Sequence, residues 1–324
     1  MARIFEKPTI LLSKCIEHEP CRYDKTMIKS EVIRRLMPYV KYITVCPESD
    51  IGLPIPRQAL RIIVAGEDSK LVFSKSGEDI TDKMKEFSHE FLEDLSSQEI
   101  HGAILKSRSP SCGIKDVKTY KSCGKSCALS KKTSGLFAES FIEKYPDTPI
   151  EDEGRLTNYN IREHFFTRIF TLADFKSIKD SKSINELIKF QSKNKYLLMA
   201  HSPGNLKILG KLTANNSNLD ITEIFDAYEC YLNKALANRP SPMRNVNMLL
   251  HLFGYFSKDI TKDEKVFFLD NLESYADRKV PFSVPLAIIH AWVIRFENEY
   301  LLNQTIFEAF PSELIEVTDS GKGL

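Results

Sequence analysis

The chain has 324 residues, 42% of them apolar and 27% charged, which is an ordinary globular composition and a length that favours two domains. The net charge of +1 does not by itself predict any class of partner. The sequence shows neither a basic and apolar leader at Met1 nor an apolar run of about 18 residues. We therefore expect neither secretion nor a membrane span, and we expect the protein to be cytoplasmic.

Short apolar runs and amphipathic segments alternate along the first 150 residues. Apolar runs bounded by turn residues predict strands, and apolar residues spaced three or four apart predict helices. In chain order these segments are a strand at 9–12, a helix at 27–37, strands at 42–45, 61–65 and 70–73, a helix at 82–95, a strand at 102–105 and a helix at 136–145. The alternation predicts an α/β domain with a mainly parallel sheet and flanking helices.

The pattern changes after an acidic, proline-bearing segment, Pro146–Gly154, which we interpret as a linker. From Asn158 onward the apolar residues follow long helical periods with little sign of strands. We therefore predict two domains, an α/β domain at 1–150 and an all-α domain at 155–318.

Three of the seven cysteines stand in related positions. Cys15 and Cys46 follow the first two predicted strands, and Cys112 lies in the sequence SPSCG shortly after the strand at 102–105. Because functional sites of open α/β sheets form beyond the carboxyl ends of the strands, the three cysteines predict one shared site. Three thiolates without a matching fourth ligand are typical of a cubane iron–sulfur cluster with one open iron. A zinc site and merely buried cysteines remain the alternatives.

Three further cysteines lie in the same half of the chain. Cys21 shares a loop with Cys15, and Cys123 and Cys127 lie in a basic, turn-rich segment. Cys21 is an alternative ligand in the first loop. Cys123 and Cys127 are the nearest approach to a zinc knuckle, have no second knuckle downstream, and are most simply incidental.

Basic residues are concentrated in two stretches. Between Lys106 and Lys132 there are eight Lys and Arg residues against a single acidic residue, Asp116, and between Arg155 and Lys211 there are eleven against four. A polyanion would be attracted to both stretches. Solvated helix faces and loops are the alternative interpretation.

Three segments carry a family resemblance. SKCIEHEPCRYD, CPESDIGLPIPR and LKSRSPSCG occur in that order at residues 13–24, 46–57 and 105–113. They resemble the motifs of the [4Fe–4S]-dependent thiouracil desulfidase family, over about residues 8 to 145. Beyond the linker, MAHSPGNLKILGKL at 199–212 and NVNMLLHLFGYF at 245–256 resemble the helical domain that is fused to some of these desulfidases.

The resemblance implies roles for individual residues. Cys15, Cys46 and Cys112 match the cluster ligands, Glu48 matches a catalytic carboxylate, and Ser109 matches a serine that positions the base or the water. The open iron would bind the thiocarbonyl sulfur, and oxygen would replace sulfur without net redox change and without a nucleotide cofactor. The resemblance further implies 4-thiouridine in tRNA as the substrate, with the helical domain binding the tRNA.

Other polar residues of the same motifs are candidates for substrate binding. We assign this role to Arg22, Asp24, Arg57 and Ser111. An arginine–aspartate pair that braces the cluster loop is an equally good interpretation of the charged residues. His201 and His251 are flanked by apolar residues and are expected to be core histidines rather than ligands.

Two other functions remain open at this stage. The same chemistry on free thiouracil would leave the helical domain to serve oligomerisation. A non-catalytic RNA-binding protein would use the cysteines to hold a structural metal, but such a protein has no need for a carboxylate beside a ligand, as Glu48 is beside Cys46.

Overall fold

The computed structural model describes residues 3–65, 68–214 and 218–316. Within them the chain forms two compact units, and the division falls between Ala173 and Asp174. The α/β unit contains Phe5–Ala173 and the described residues from Pro311, and the helical unit contains Asp174–Phe310 with Arg3 and Ile4. The last residues of the second predicted domain, from 317, lie outside the described part of the chain.

The described residues contain eight strands and thirteen α-helices. The strands are β1 (Thr9–Ser13), β2 (Lys41–Val45), β3 (Leu60–Ala65), β4 (Asp68–Phe73), β5 (Gly102–Leu105), β6 (Val117–Tyr120), β7 (Ala128–Thr133) and β8 (Ile150–Asp152). The helices are α1 (Glu31–Leu36), α2 (Pro47–Asp50), α3 (Thr81–Leu95), α4 (Leu136–Lys144), α5 (Tyr159–Ser181), α6 (Ile184–Lys193), α7 (Lys195–His201), α8 (Pro203–Ala214), α9 (Ile221–Leu236), α10 (Pro242–Phe253), α11 (Lys262–Ala276), α12 (Ser283–Arg295) and α13 (Glu299–Leu302).

The first sheet has the order β2-β1-β5-β8, and every neighbouring pair is parallel. Its central strands are continuous apolar runs because both faces are covered: Ile10, Leu11 and Leu12 of β1 and all four residues of β5 are buried. The segment predicted as a linker, Pro146–Gly154, contains β8, so it contributes the edge strand of this sheet rather than a flexible connection.

The second sheet has the order β4-β3-β6-β7 and is mixed, because β3 pairs with β6 in parallel while the β3/β4 and β6/β7 pairs are antiparallel. The sequence predicts β3 and β4, although the turn proposed around Gly66 lies outside the described residues. It does not predict β6 and β7. We shall call these two strands and the residues between them, 117–133, the basic hairpin.

One hydrophobic core joins the sheets and helices of the α/β unit. It includes Leu11 of β1, Ile62 of β3 and Leu105 of β5, with Met84 of α3 and Phe137 of α4. The phenylalanine rings of α3 pack on α4, with 5.7 Å between the centroids of Phe91 and Phe137. This core fixes the strand ends from which the cysteine-bearing loops leave.

The helical unit contains helices and no strand within its described residues. Its core includes Tyr196, Met248, Phe268 and Trp292. Two of its helices begin with capping boxes, at Asp220 for α9 and at Thr261 for α11. The predicted fold class, an α/β N-terminal domain followed by an all-α domain, is therefore confirmed. No helix in the described part of the chain has the length and apolar character that a membrane crossing requires.

Candidate active site

The loops that carry Cys15, Cys46 and Cys112 meet at one edge of the parallel sheet. These cysteines follow β1, β2 and β5, and β1 pairs in parallel with both of the other strands. The carboxyl ends of the three strands therefore lie side by side. Each of the three cysteines is at most 8% exposed, and all of them line a cavity of about 370 Å³.

Of the residues that the structure describes, nineteen line this cavity, and they come from the first cysteine loop with the ends of β1 and β2, from α2 and the segment after it up to the start of β3, and from the segment after β5. They are Ser13, Cys15, Cys21, Arg22, Tyr23, Val45, Cys46, Pro47, Glu48, Arg57, Ala59, Leu60, Lys106, Ser107, Arg108, Ser109, Pro110, Ser111 and Cys112. Eight of the nine residues that the sequence assigns to the site are among them, and the exception is Asp24.

Cys21 belongs to the same group of thiols. Its side chain is 2% exposed, it lines the cavity together with Cys15 and Cys46, and its carbonyl oxygen lies 3.9 Å from Cys46 Sγ. The Sγ atom of Cys46 also lies 3.3 Å from Ser49 Oγ. The cavity is therefore walled by four buried cysteines rather than the three that the strand ends predict.

Burial and neighbouring groups raise the pKa values of three of these thiols, those of Cys21, Cys46 and Cys112. Burial raises the pKa of Cys112 to about 12, and the hydrogen bond with Cys15 raises the pKa of Cys21 to about 11. The pKa of Cys46 is raised by its contact with Cys21 and by burial. Because neighbouring thiolates repel one another in a buried site, deprotonating several of them together requires a positive centre between them.

The donor set fits a metal cluster better than a single ion. Across residues 3–65, 68–214 and 218–316, no three Cys, His, Asp or Glu side chains converge closely enough to hold one metal ion. The thiols instead face a cavity from three separate loops. Cysteine thiolates around a space larger than an ion are the ligands that iron–sulfur clusters use.

Glu48 is held by two partners in the same cavity. It lies on the short helix α2, directly after Cys46 and Pro47. Its Oε2 atom accepts a hydrogen bond of 2.9 Å from Arg57 Nε and lies 2.8 Å from Arg57 Nη2, and its Oε1 atom accepts one of 2.7 Å from Ser111 Oγ. The side chain of Arg57 is 3% exposed and that of Glu48 is 12% exposed. The guanidinium of Arg57 therefore holds the Glu48 carboxylate in position.

The SPSCG turn connects this carboxylate to Cys112. Ser109 Oγ lies 3.0 Å from Ser111 Oγ and accepts hydrogen bonds from the backbone N–H groups of Ser111 at 3.3 Å and Cys112 at 3.2 Å. A hydrogen-bonded path therefore runs from Arg57 through Glu48 and Ser111 to Ser109.

Two glycines allow the turn to pack tightly. A Cβ atom on Gly113 would lie 2.7 Å from the carbonyl oxygen of Ser109, and one on Gly135 would lie 2.5 Å from that of Ser111. The N–H of Gly135 donates to Gly113 at 2.7 Å, and the N–H of Ala138 in the first turn of α4 donates to Ser111 at 3.1 Å. The start of α4 thus fixes the orientation of Ser111 and Cys112.

Arg22 and Asp24 lie at the outer side of the first cysteine loop. Arg22 lines the cavity, whereas Asp24 does not line it among the described residues. Asp24 instead accepts hydrogen bonds from the backbone and hydroxyl of Thr26 and lies 3.7 Å from Arg22. Its observed contacts brace the loop.

Sequence reasoning missed several residues of the cavity. Tyr23 is 42% exposed and lines the cavity beside Arg22, whose guanidinium carbon lies 5.5 Å from the centre of its ring. Lys106 and Ser107 line it as well and bind Glu153, with 2.5 Å from Lys106 Nζ to Glu153 Oε1. Glu153 follows β8, so recognising that strand would have indicated a further polar side chain at this edge.

The two basic stretches differ in the structure. In the first, Arg108 and the lysines of the basic hairpin are exposed, although Lys132 pairs with Asp116 at 3.0 Å. In the second, Arg155, Lys176, Lys179 and Lys189 form ion pairs, and Arg162 and Arg168 are largely buried. Much of the second stretch is therefore engaged within the protein and does not present free charge to a polyanion.

His201 is buried in α7, and its Nδ1 atom is 2.9 Å from the carbonyl oxygen of Leu197. This position agrees with the expectation that it is a core histidine. His251 is exposed on α10, so the same expectation is wrong for His251.

Two family models match the chain. One described as 2-thiouracil desulfurase covers residues 10–153, and one described as a protein of unknown function, DUF1722, covers residues 195–311. The uncharacterized protein YbbK of Bacillus subtilis is 30% identical over 148 residues, which are 44% of this chain and 98% of YbbK. The uncharacterized protein YbgA of Escherichia coli is 27% identical over 158 residues, which are 48% of this chain and 92% of YbgA.

A solved structure is also similar to part of the chain. It is the [4Fe-4S]-dependent thiouracil desulfidase TudS, with 27% sequence identity and a TM-score of 0.38. The similarity covers 46% of this chain and 93% of TudS.

Proposed function

The chain belongs to the 2-thiouracil desulfurase family through residues 10–153, and on this basis we propose that it removes the thiocarbonyl sulfur of a thiolated uracil with a [4Fe–4S] cluster held by Cys15, Cys46 and Cys112. One observation carries the proposal. A carboxylate fixed by two partners, Glu48, lines the same cavity as the buried cysteines. A purely structural metal site has no use for such a group.

A bound cluster would supply an iron not held by these three cysteines, a Lewis acid that binds soft sulfur and polarises the attached carbon. The remaining chemistry belongs to the protein. Water supplies the oxygen and sulfur leaves as sulfide, so the exchange needs no oxidant or reductant.

We propose that Glu48 moves the protons of this exchange. Its contacts with Arg57 and Ser111 orient the carboxylate inside the cavity. From there it can take a proton from the attacking water or deliver one to a ring nitrogen of the base. The hydroxyl of Ser109 accepts a hydrogen bond from the backbone of Cys112, and we propose that it holds the water or the base.

We further propose 4-thiouridine in tRNA as the substrate, in preference to free thiouracil. Tyr23, beside Arg22, offers an aromatic face at the cavity on which an unstacked base can lie. Arg108 and the lysines of the basic hairpin offer exposed cations to phosphates. A free thiouracil carries no phosphate and has no need of these cations.

The catalytic proposal is tested with protein purified without oxygen and incubated with thiolated uracils, with desulfuration followed by loss of thiocarbonyl absorbance. We expect Glu48→Gln to lower kcat/KM about 10²–10⁴-fold with iron and sulfide content unchanged. Glu90→Gln, on the exposed face of α3, is the matched control and should be neutral. Unchanged turnover in Glu48→Gln would remove the carboxylate from the mechanism. A metal-bound wild type without turnover would favour a non-catalytic RNA-binding protein.

The substrate proposal is tested by comparing thiolated tRNA with free thiouracil on the same protein. We expect Arg108→Gln to lower kcat/KM for tRNA but not for the free base, and to reduce the salt dependence of tRNA binding by about one unit of log–log slope. Lys85→Gln, exposed on α3, serves as the control. Turnover of free thiouracil with no turnover of tRNA would reject the tRNA assignment and leave the desulfidase assignment standing.

A further inference from the structure

The proposed function leaves one buried nucleophile of the cavity without a role. Cys21 lines the cavity together with the proposed ligands Cys15 and Cys46, is 2% exposed, and has its carbonyl oxygen 3.9 Å from Cys46 Sγ. Three other cysteines of the chain, Cys123, Cys127 and Cys230, are exposed. Cys21 therefore has the setting of the ligand cysteines rather than that of the surface cysteines.

The backbone at Cys21 is fixed as firmly as the side chain. Its N–H donates to the carbonyl of Glu19 at 2.8 Å. Its own carbonyl accepts a hydrogen bond of 3.1 Å from Arg57 Nη2. The same guanidinium holds Glu48, so one arginine sets both the carboxylate and the position of the fourth thiol.

A fourth thiol on the wall of a cluster cavity has a definite chemical consequence. Thiolate is a stronger and softer ligand for iron than water. An iron left open by three cysteines will bind such a group when the group is tethered within reach, because tethering raises its effective concentration to about the millimolar range or above.

We propose that Cys21 supplies a fourth thiolate to the iron–sulfur centre, and coordinates the remaining iron until the thiocarbonyl sulfur of the substrate displaces it. This inference rests on the proposed function. On coordination the Cys21 thiol gives its proton to solvent, and on displacement the thiolate takes one back, so no electrons are exchanged. Coordination by Cys21 would protect the iron–sulfur centre between turnovers. Any other ligand of the remaining iron would then have to compete with the Cys21 thiolate.

The competition predicts a measurable decrease in the affinity of the centre for an external ligand. If Cys21 occupies the iron in about nine-tenths of the molecules, an external ligand binds about tenfold more weakly than it would to an uncapped centre. Cyanide, a small soft anion, is a suitable probe because it needs none of the contacts that a base would make.

The experiment compares the wild type, Cys21→Ser, Cys21→Val and Cys230→Ser, each loaded with cluster without oxygen. Iron and sulfide content, the iron Mössbauer spectrum and a cyanide titration are measured. We expect both Cys21 variants to keep the wild-type content, to gain one iron site with a distinct Mössbauer signal, and to bind cyanide about tenfold more tightly. Cys230→Ser should match the wild type.

Two results would overturn the inference while leaving the proposed function standing. Spectra and cyanide affinity equal to the wild type in both Cys21 variants would make Cys21 a bystander. Loss of most of the iron in both variants, with circular dichroism showing intact folding, would make Cys21 one of the three essential ligands in place of Cys15 or Cys46. A wild type that assembles no cluster would instead reject the proposed function itself, and the inference with it.

Discussion

The cavity loops and the basic hairpin contain the same residue types and use them differently. Both have cysteines, and an arginine binds backbone carbonyl groups of each: Arg57 binds the Cys21 carbonyl at the cavity, and Arg61 of β3 donates to Ser122 at 3.3 Å and Gly124 at 3.0 Å in the hairpin. The cavity cysteines are buried, whereas Cys123 and Cys127 are exposed. The contrast shows that position in the sheet, not residue type, decides whether a cysteine is buried at the cavity or exposed to solvent.

The physical cause lies in the strands. The carboxyl ends of parallel neighbours lie at the same edge, so the loops after β1, β2 and β5 converge and bury their cysteines. The basic hairpin is an antiparallel pair with an exposed connection, and the lysine-rich β7 lies at the edge of its sheet. Its cysteines are therefore exposed to solvent and, in the described part of the chain, do not face a cavity shared by several loops.

Replacing one cysteine in each region tests this contrast most strongly. We expect Cys112→Ala to lower bound iron at least about tenfold, since even partners outside the ligand set contribute about 10–100-fold to metal affinity. Cys123→Ala should leave iron unchanged. Iron and sulfide analysis after anaerobic reconstitution provides the measurement, and equal losses in the two variants would refute the distinction.

The two arginines give a second, smaller test. Lysine cannot hold the Glu48 carboxylate and the Cys21 carbonyl at once, because it lacks the planar fork of donors. We expect Arg57→Lys to lower kcat about 100-fold, the scale of a displacement of about 1 Å in a catalytic group, with iron retained. Arg61→Lys should leave kcat within about twofold, because Arg61 serves the hairpin alone.

The outcome for Arg57→Lys separates positioning from substrate binding. A positioning residue changes kcat and the pH profile of the reaction, whereas a residue that binds the substrate directly raises KM with kcat kept. A pure KM effect would return Arg57 to the substrate-binding role that the sequence suggests.

The fold class and the meeting of the three cysteines were predictable from the sequence, because both follow from strand periodicity. Parallel strands with cysteines after their ends leave little freedom for where Cys15, Cys46 and Cys112 lie. The side-chain bonds of Glu48 with Arg57 and Ser111 were not predictable, because they depend on how three loops from distant parts of the chain fold over one another. The same holds for the position of Cys21 on the cavity wall beside Cys46.

There are specific physical reasons why the sequence did not predict β6, β7 and β8. In β6 the buried residues Val117 and Thr119 alternate with Lys118, but four residues are too few to show a period. Most of β7 is exposed, so it has no apolar face to detect. The acidic and proline-bearing composition around β8 resembles a linker because the strand is three residues long and lies at the edge.

The ion pair at the edge of the basic hairpin gives the smallest expected effect. Lys132 Nζ lies 3.0 Å from Asp116 Oδ1, with both side chains about half exposed. We expect Lys132→Gln to lower the free energy of unfolding by at most about 0.5 kcal/mol and to leave iron content unchanged, because water and salt screen exposed pairs. Chemical denaturation in low and high salt measures the change, with Lys131→Gln on the same strand as the control.

The pH dependence of this pair has a definite sign. The hydrogen bond from Lys132 lowers the pKa of Asp116 below its ordinary 3.8. The stabilisation is therefore present above pH 3.8 and is lost as the pH falls through the lowered pKa. Wild type and Lys132→Gln should thus differ slightly at neutral pH and converge in acid. A difference of several kcal/mol, or one that persists in acid, would show that the hairpin is coupled to the core and would weaken its contrast with the cavity loops.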